Sequence, residues 1–239
     1  MIEQQKPKHA ATVILLRAAK STRFEVFLTR RPEGMAFLGG MYCFPGGTVR
    51  KEDYSPLMLR RCYGLTPTQA RKIIGAHFTP QEALGFWITG IRELYEEVGI
   101  LLALDESRGR IISESNRENR LADKHAALLG KSIDFPSILE TEDLLCDASS
   151  LKYFSHWQTP SQESMRFDTR FFLAVLPEGQ FPLPNSPEVA HSLWLTPDRA
   201  LQLFAKNELP LIFPTFASLR TLADFSSLES LFREYTLPN

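Results

Sequence analysis

Apolar and polar positions along the first fifty residues follow the pattern of short strands. Ala11–Arg17 and Phe24–Thr29 are β-rich runs separated by a mostly polar stretch, Ala18–Arg23, which predicts a hairpin. Arg30-Arg31-Pro32-Glu33-Gly34 breaks the pattern, and a further run, Met41–Phe44, stops at the turn signal Pro45-Gly46-Gly47. Two helix starts follow with the same chemistry. Thr66-Pro67-Thr68-Gln69 and Thr79-Pro80-Gln81-Glu82 each put Thr at the N-cap, Pro at the first helical position and Gln or Glu two residues on, a capping box. The first helix is predicted to end near Gly75 and the second to run to Val98, with Gly99 as its stop. On the second, Leu84, Trp87, Ile88, Ile91, Tyr95 and Val98 recur at helical spacing and form a buried stripe. Gly85 and Gly90 cost this helix roughly 1 kcal/mol each against Ala, which predicts close packing at both.

Residues 105–150 are polar and read as helix or loop with no strand. Strands return at Arg170–Leu176 and Ser192–Leu195. Thr196-Pro197-Asp198 opens a helix through Ala205, and a last helix is predicted over Ser218–Tyr235. Strands flanked by helices predict an α/β sandwich around a mixed sheet.

Composition adds exclusions. With 239 residues, 44% of them hydrophobic and 23% charged, the chain reads as a globular protein with a sizeable core. A net charge of −1 offers no general attraction to nucleic acid or an anionic membrane, so phosphate binding must be local. Cys43, Cys62 and Cys146 are odd in number and in no ligand-like pattern, as expected of free thiols in a reducing compartment. The early apolar run Val13–Leu16 is too short to span a membrane and lacks a signal-peptide cleavage pattern. The terminal Leu237-Pro238-Asn239 is no peroxisomal address, and the expectation is a cytoplasmic protein.

The chemistry concentrates in Arg92-Glu93-Leu94-Tyr95-Glu96-Glu97-Val98-Gly99-Ile100. Glu93, Glu96 and Glu97 stand at i, i+3 and i+4, so their carboxylates leave one face of the helix. Three like charges repel one another, and a divalent cation would turn that repulsion into coordination, with hard oxygens suiting magnesium or manganese. A solvated acidic helix face is the alternative on the acids alone. The complete string, with its Arg, aliphatics and Gly, would arise by chance in one chain on the order of 1 in 10⁵ times.

This string resembles the second half of the Nudix box, and Phe44-Pro45-Gly46-Gly47 resembles the strand end that opens that box. The resemblance implies an α/β/α sandwich around a mixed sheet and hydrolysis of a diphosphate linkage by metal-activated water. By that resemblance Glu93, Glu96 and Glu97 are metal ligands for Mg²⁺ or Mn²⁺, and the Gly46 carbonyl is a backbone ligand. Glu93 is alternatively the base for the attacking water, with Glu96 and Arg92 in the catalytic set and Gly47 at the substrate. Glu188 is a further acid in the last sheet region. The box is interrupted. Gly47 and Arg92 stand 45 positions apart, an excess of 31 residues, and Leu84 occupies a position where the box has Glu. Glu52, Asp53 and Glu82 are candidates for the role of that missing acid. Loop closure costs only about 0.6 kcal/mol per doubling of length, so the site tolerates the insertion. One domain over 1–239 is expected, with 51–78 a helical insertion, Glu52–His77 acting as a flap separate from the metal site, and 206–239 a C-terminal helical extension.

An interrupted box resembles the Nudix subfamily that includes a peroxisomal coenzyme A diphosphatase. Ala11-Thr12-Val13, Trp157-Gln158-Thr159-Pro160 and Arg166-Phe167-Asp168-Thr169 extend the likeness over about residues 10–205. The expected partner is a small-molecule diphosphate, coenzyme A or an acyl derivative first, with neither nucleic acid nor membrane and with room for a homodimer. A dinucleotide, NADH or a nucleotide sugar is the alternative substrate, and a non-catalytic Nudix-fold sensor the alternative of another class. Phe27-Leu28-Thr29-Arg30-Arg31-Pro32 partly matches a coenzyme A pattern of another Nudix branch, making Arg30 and Arg31 candidate phosphate contacts. His156 is open between a ligand contact and a structural role.

Overall fold

The segment Lys8–Ala18 is buried on both sides, and the rest of the fold is built around it. Ala11, Val13 and Leu15 belong to one apolar core, while Ile14 and Leu16 belong to a second. Alternate residues of a strand point to opposite faces, so a near-continuous apolar run marks a strand covered by helices on both. The computed structural model describes residues 6–19, 23–106, 115–183 and 186–235. The middle of the Ala18–Arg23 connection and the terminal Leu237–Asn239 therefore lie outside the described residues.

In chain order the strands are β1 (Lys8–Ala18), β2 (Phe24–Arg30), β3 (Tyr42–Cys43), β4 (Gly46–Thr48), β5 (Cys62–Tyr63), β6 (Ala103–Asp105), β7 (Leu144–Asp147), β8 (Lys152–Gln158), β9 (Phe167–Val175) and β10 (His191–Leu195). The helices are α1 (Pro56–Arg60), α2 (Pro67–Ile74), α3 (Pro80–Val98), α4 (Ser115–Leu129), α5 (Phe135–Thr141), α6 (Pro197–Ala205), α7 (Phe213–Leu222) and α8 (Leu228–Tyr235). The main sheet runs β10-β2-β1-β9-β8, with β3 paired to β2 and β4 to β1. It is mixed. β1 and β9 run parallel over nine residue pairs from Lys8↔Phe167 to Leu16↔Val175, and the other neighbours are antiparallel. One core gathers α3 with α2 and α5, and the other gathers α6, α7 and α8, which gives the α/β/α sandwich.

The capped helices stand where their sequence signals put them. Thr66 and Thr79 each accept from the backbone N–H three residues on, and Gln69 and Glu82 return bonds to the cap N–H. Gly99 ends α3 in the left-handed conformation, at φ 72°. Both mid-helix glycines are contact points: a Cβ on Gly85 would lie 3.0 Å from Tyr54 Cδ1, and one on Gly90 would lie 3.2 Å from Val13 Cγ2.

Four expectations are corrected. Pro45-Gly46-Gly47 is no simple turn, because Gly46–Thr48 forms β4 against Ala10–Thr12. Residues 105–150 do contain strand: β7 pairs with β6 and β5 in a three-stranded sheet apart from the main one. That sheet also includes β5 of the insertion, which is thus not wholly helical. It brings Cys62 into register with Cys146, both free thiols. The last predicted helix is two helices, because the hydroxyl of Ser227 accepts from the Ser230 N–H at 3.1 Å and starts α8 afresh. A further strand that no local pattern announces, β8, lies at the sheet edge beside β9. Among the described residues no helix is long and apolar enough to cross a membrane.

Phe172 is fully buried, with its ring 4.7 Å from that of Trp87, and so links β9 to α3. Phe172→Ala is expected to cost about 3–5 kcal/mol in denaturant unfolding. A loss under about 1 kcal/mol would mean that the helix–sheet contact does not hold the two together.

Candidate active site

Helix α3 carries its apolar stripe into the core, and its last turns turn charge toward the β3–β4 edge of the sheet. Arg92, Glu93 and Glu97 are all buried there, at 3%, 6% and 7% exposure. Arg92 is the hub. Its Nε donates to Asp53 Oδ1 at 2.7 Å and its Nη2 to Asp53 Oδ2 at 3.0 Å and to the Thr48 carbonyl at 3.1 Å. Its Nη1 donates to Glu93 at 2.6 Å and to Glu96 at 2.9 Å. Burial works against the charge of Arg92, but Asp53, Glu93 and Glu96 outweigh it and hold the guanidinium ionised. Thr89 completes the anchor by donating to Asp53 at 2.7 Å.

The two buried glutamates are held in opposition. Burial pushes Glu93 above the ordinary carboxylate range, with Glu96 adding to the effect and Arg92 opposing it. Burial raises Glu97 further, reinforced by Glu93 and Glu188 and offset by Arg31 and by a hydrogen bond from the Gly46 backbone. Glu96 is drawn outward: Arg50 meets both its oxygens at 3.2 Å. Gly47 has no room for a side chain, since a Cβ there would overlap the Glu93 carboxylate. A Cβ on Gly46 would overlap the β1 backbone at Ala11 and Thr12. Beside them Cys43 stays a neutral thiol, pushed up to about 11 by burial and by Glu97.

These groups open on a cleft of about 1010 Å³. Arg50, Asp53, Glu96 and Glu97 line it on one side, residues of 128–137 from the end of α4 to the start of α5 line it as well, and so does Glu188. Among the described residues no three His, Cys, Asp or Glu side chains already converge as a closed metal cage. Glu96 leans on arginines instead. The donors nevertheless suit a hard cation: carboxylates Glu93 and Glu97 are costly to ionise together, and a dication removes that cost.

The structure brings together Arg92, Glu93, Glu96, Glu97, Gly46, Gly47 and Glu188, with Arg31 within electrostatic reach of Glu97. Arg30 is engaged elsewhere, donating to the Gly40 carbonyl at 3.0 Å and to Glu33 at 2.7 Å. Of the three candidates for the missing acid, Asp53 holds Arg92, Glu52 lines the cleft, and Glu82 only caps α3. The insertion is therefore not a flap apart from the site, because its first residues are built into it. Arg50 and the 128–137 stretch were not foreseen, since nothing local marks a residue that a distant helix will meet. His156 is structural: with His9 and Arg170 it binds Asp168. Phe171 and Phe172 are core.

A buried carboxylate cluster at the end of a glycine-bounded strand, on a helix packed against a mixed sheet, defines the Nudix hydrolase class. More narrowly, the model of the NUDT19 Nudix domain matches residues 7–222, and the chain belongs to that family. It is 29% identical over 271 residues to the Gallus gallus acyl-coenzyme A diphosphatase NUDT19, covering 94% of this chain and 70% of that protein. The Xenopus laevis and Homo sapiens proteins of the same name are each 26% identical over 87% of this chain. The chain spans 62% and 63% of those two relatives' lengths. The crystal structure of a NUDIX hydrolase from Alicyclobacillus acidocaldarius shares the fold, with a TM-score of 0.75 at 24% identity over 99% of this chain and 100% of that one.

Asp53→Asn removes a charged partner from a buried arginine and is expected to cost about 3 kcal/mol. Unchanged unfolding free energy would show that Glu93 and Glu96 hold Arg92 without it. The Asp168 network gives a pH signature. Burial would raise Asp168, but bonds from His9, Arg170 and His156 outweigh it and hold the carboxyl well below the ordinary range. Its stabilisation is therefore complete above the unfolded carboxylate value near about 3.9 and is lost as pH falls below it. Asp168→Asn should flatten the fall in stability between about pH 5 and 2. An acid arm as steep as wild type would remove Asp168 from it.

Proposed function

We propose that this chain is a divalent-cation-dependent diphosphohydrolase that splits coenzyme A or acyl-coenzyme A into adenosine 3′,5′-bisphosphate and the phosphopantetheine part. The observation that carries the reading is the pair Glu93 and Glu97, buried and mutually repelling beside a large cleft in a chain of the NUDT19 Nudix family. The names of the curated relatives supply the substrate class.

Glu93, Glu96, Glu97 and the Gly46 carbonyl are the groups that would hold Mg²⁺ or Mn²⁺. When bound, such an ion lowers the pKa of water and neutralises charge gathering on the phosphoryl oxygens. Glu93 can accept the proton of an attacking water, because burial raises its basicity. Arg92 positions Glu93 and Glu96 through one guanidinium, and Gly47 leaves the Glu93 carboxylate its space. Arg31, set against Glu97, is suited to a diphosphate oxygen, whereas Arg30 is held by Glu33 and Gly40. Glu188 is a further acid lining the cleft. Three unpaired cysteines favour a reducing compartment such as the cytoplasm.

Glu93→Gln and Glu97→Gln should each lower turnover by several orders of magnitude while the helix still folds, since Gln keeps helix propensity and removes repulsion. Near wild-type turnover at saturating magnesium would end the ligand assignment. A panel of coenzyme A, dephospho-coenzyme A, NADH, a dinucleotide and a nucleotide sugar, assayed with magnesium or manganese, tests the substrate. A preference for NADH or the sugar would overturn it.

A further inference from the structure

The turn that follows β4 has two sides. Arg50, Glu52 and Asp53 face the active-site cleft, while Thr48, Val49, Lys51 and Tyr54 line a second pocket of about 430 Å³. Its floor is aromatic: Phe78 and Phe86 are buried beneath it, and the His9 ring meets Phe78 edge-on at 5.0 Å. Tyr54 is set in place by Gly85, a mid-helix glycine whose missing Cβ admits the ring. The rim is cationic. Lys6, Lys8 and Lys51 are exposed around it, and Lys8 and Lys51 pair with no acid among the described residues. The one carboxylate there, Glu82, is occupied in capping α3.

An aromatic floor under a cationic rim matches a heteroaromatic base bearing a phosphate: the rings take the base face and the ammonium groups take the phosphate charge. The pocket is also close to the reacting site. Gly47 touches Glu93, and Thr48 and Val49 already line the second pocket, a step of about 3–7 Å at strand rise. Neither Arg30 nor Arg31 accounts for a phosphate at the far end of a nucleoside, since Arg30 is tied to Glu33 and Arg31, beside Glu97, is placed for the diphosphate itself. We infer that this second pocket holds the phosphorylated nucleoside end of the substrate, with the half-exposed Tyr54 and His9 rings against the base and Lys8 and Lys51 on its 3′-phosphate. The inference rests on the diphosphohydrolase reading above.

The test uses the full chain without divalent cation, titrated calorimetrically with adenosine 3′,5′-bisphosphate and with 5′-AMP. The bisphosphate should bind about 10-fold or more tighter than 5′-AMP, as a charge-assisted contact predicts. That preference should persist in Glu97→Gln and vanish in the double variant Lys8→Glu/Lys51→Glu. In the same variant KM should rise about 10- to 100-fold for coenzyme A and far less for dephospho-coenzyme A. Equal binding of the two nucleotides would overturn the inference. So would loss of the preference on Lys131→Ala, a cation of the main cleft, in place of the double variant. A wild type that splits coenzyme A with a KM indifferent to Lys8 and Lys51 removes the pocket alone. Lysine-dependent bisphosphate binding without any coenzyme A cleavage removes the hydrolase reading, and with it the pocket as a substrate subsite.

Discussion

One buried guanidinium holds the site together. Arg92 reaches Asp53, Glu93, Glu96 and the Thr48 carbonyl at once, which ties together helix α3, strand β4 and the first turn of the insertion. Only a planar fork with five donors can satisfy so many acceptors from one side chain, and a lysine at this position would leave several unmet. The charge it brings also decides which carboxylates remain difficult to ionise. Glu93 and Glu96 share both Arg92 and Arg50, whereas among the described residues Glu97 has Arg31 and the Gly46 backbone set against its burial. The electrostatic tension of the site thus gathers on Glu97, beside Glu93.

That arrangement needs the backbone of β4 to approach α3 closely, and glycine permits it. Gly46 lies against the β1 backbone and Gly47 against the Glu93 carboxylate, so neither position admits a side chain. The same economy of space recurs deeper in the helix, where Gly90 meets Val13 and Gly85 meets Tyr54. Each mid-helix glycine costs helix propensity of about 1 kcal/mol, which the closer packing offsets. Because α3 supplies both core and site, a defect in its packing against Phe172 would be felt by the carboxylates at its far end.

The parts legible in the sequence are those governed by local chemistry. Thr-Pro caps fixed the starts of α2, α3 and α6, Gly99 fixed a stop, and the spacing of Glu93, Glu96 and Glu97 placed them on one face. Strands β5, β6 and β7 are two to four residues long and exist through pairing with distant segments, so no local period announces them. The break between α7 and α8 was signalled by Ser227, but a serine inside a periodic run reads equally well as a solvated helix position. Asp53 was only one of three acids offered for the role of the box Glu that Leu84 replaces. What separates it from Glu52 and Glu82 is the direction of its side chain, which the turn after β4 decides.

That turn also explains how a box interrupted by 31 residues keeps its geometry. An insertion tethered only at its ends would leave β4 and α3 to find one another through a long loop, at a modest entropic cost but with no fixed register. Here the first residues of the insertion are bonded to the helix they delay. Asp53 holds Arg92 and Thr89, and Tyr54 lies on Gly85, so the segment from Gly46 to Tyr54 is fixed to α3 before the chain departs. The rest of the insertion then leaves from a pinned point: β5 joins the small sheet, and α2 packs back onto α3 in the same core. The same tight helical turn that sets Asp53 toward the reacting groups leaves Lys51 and Tyr54 on its other side, lining the second pocket.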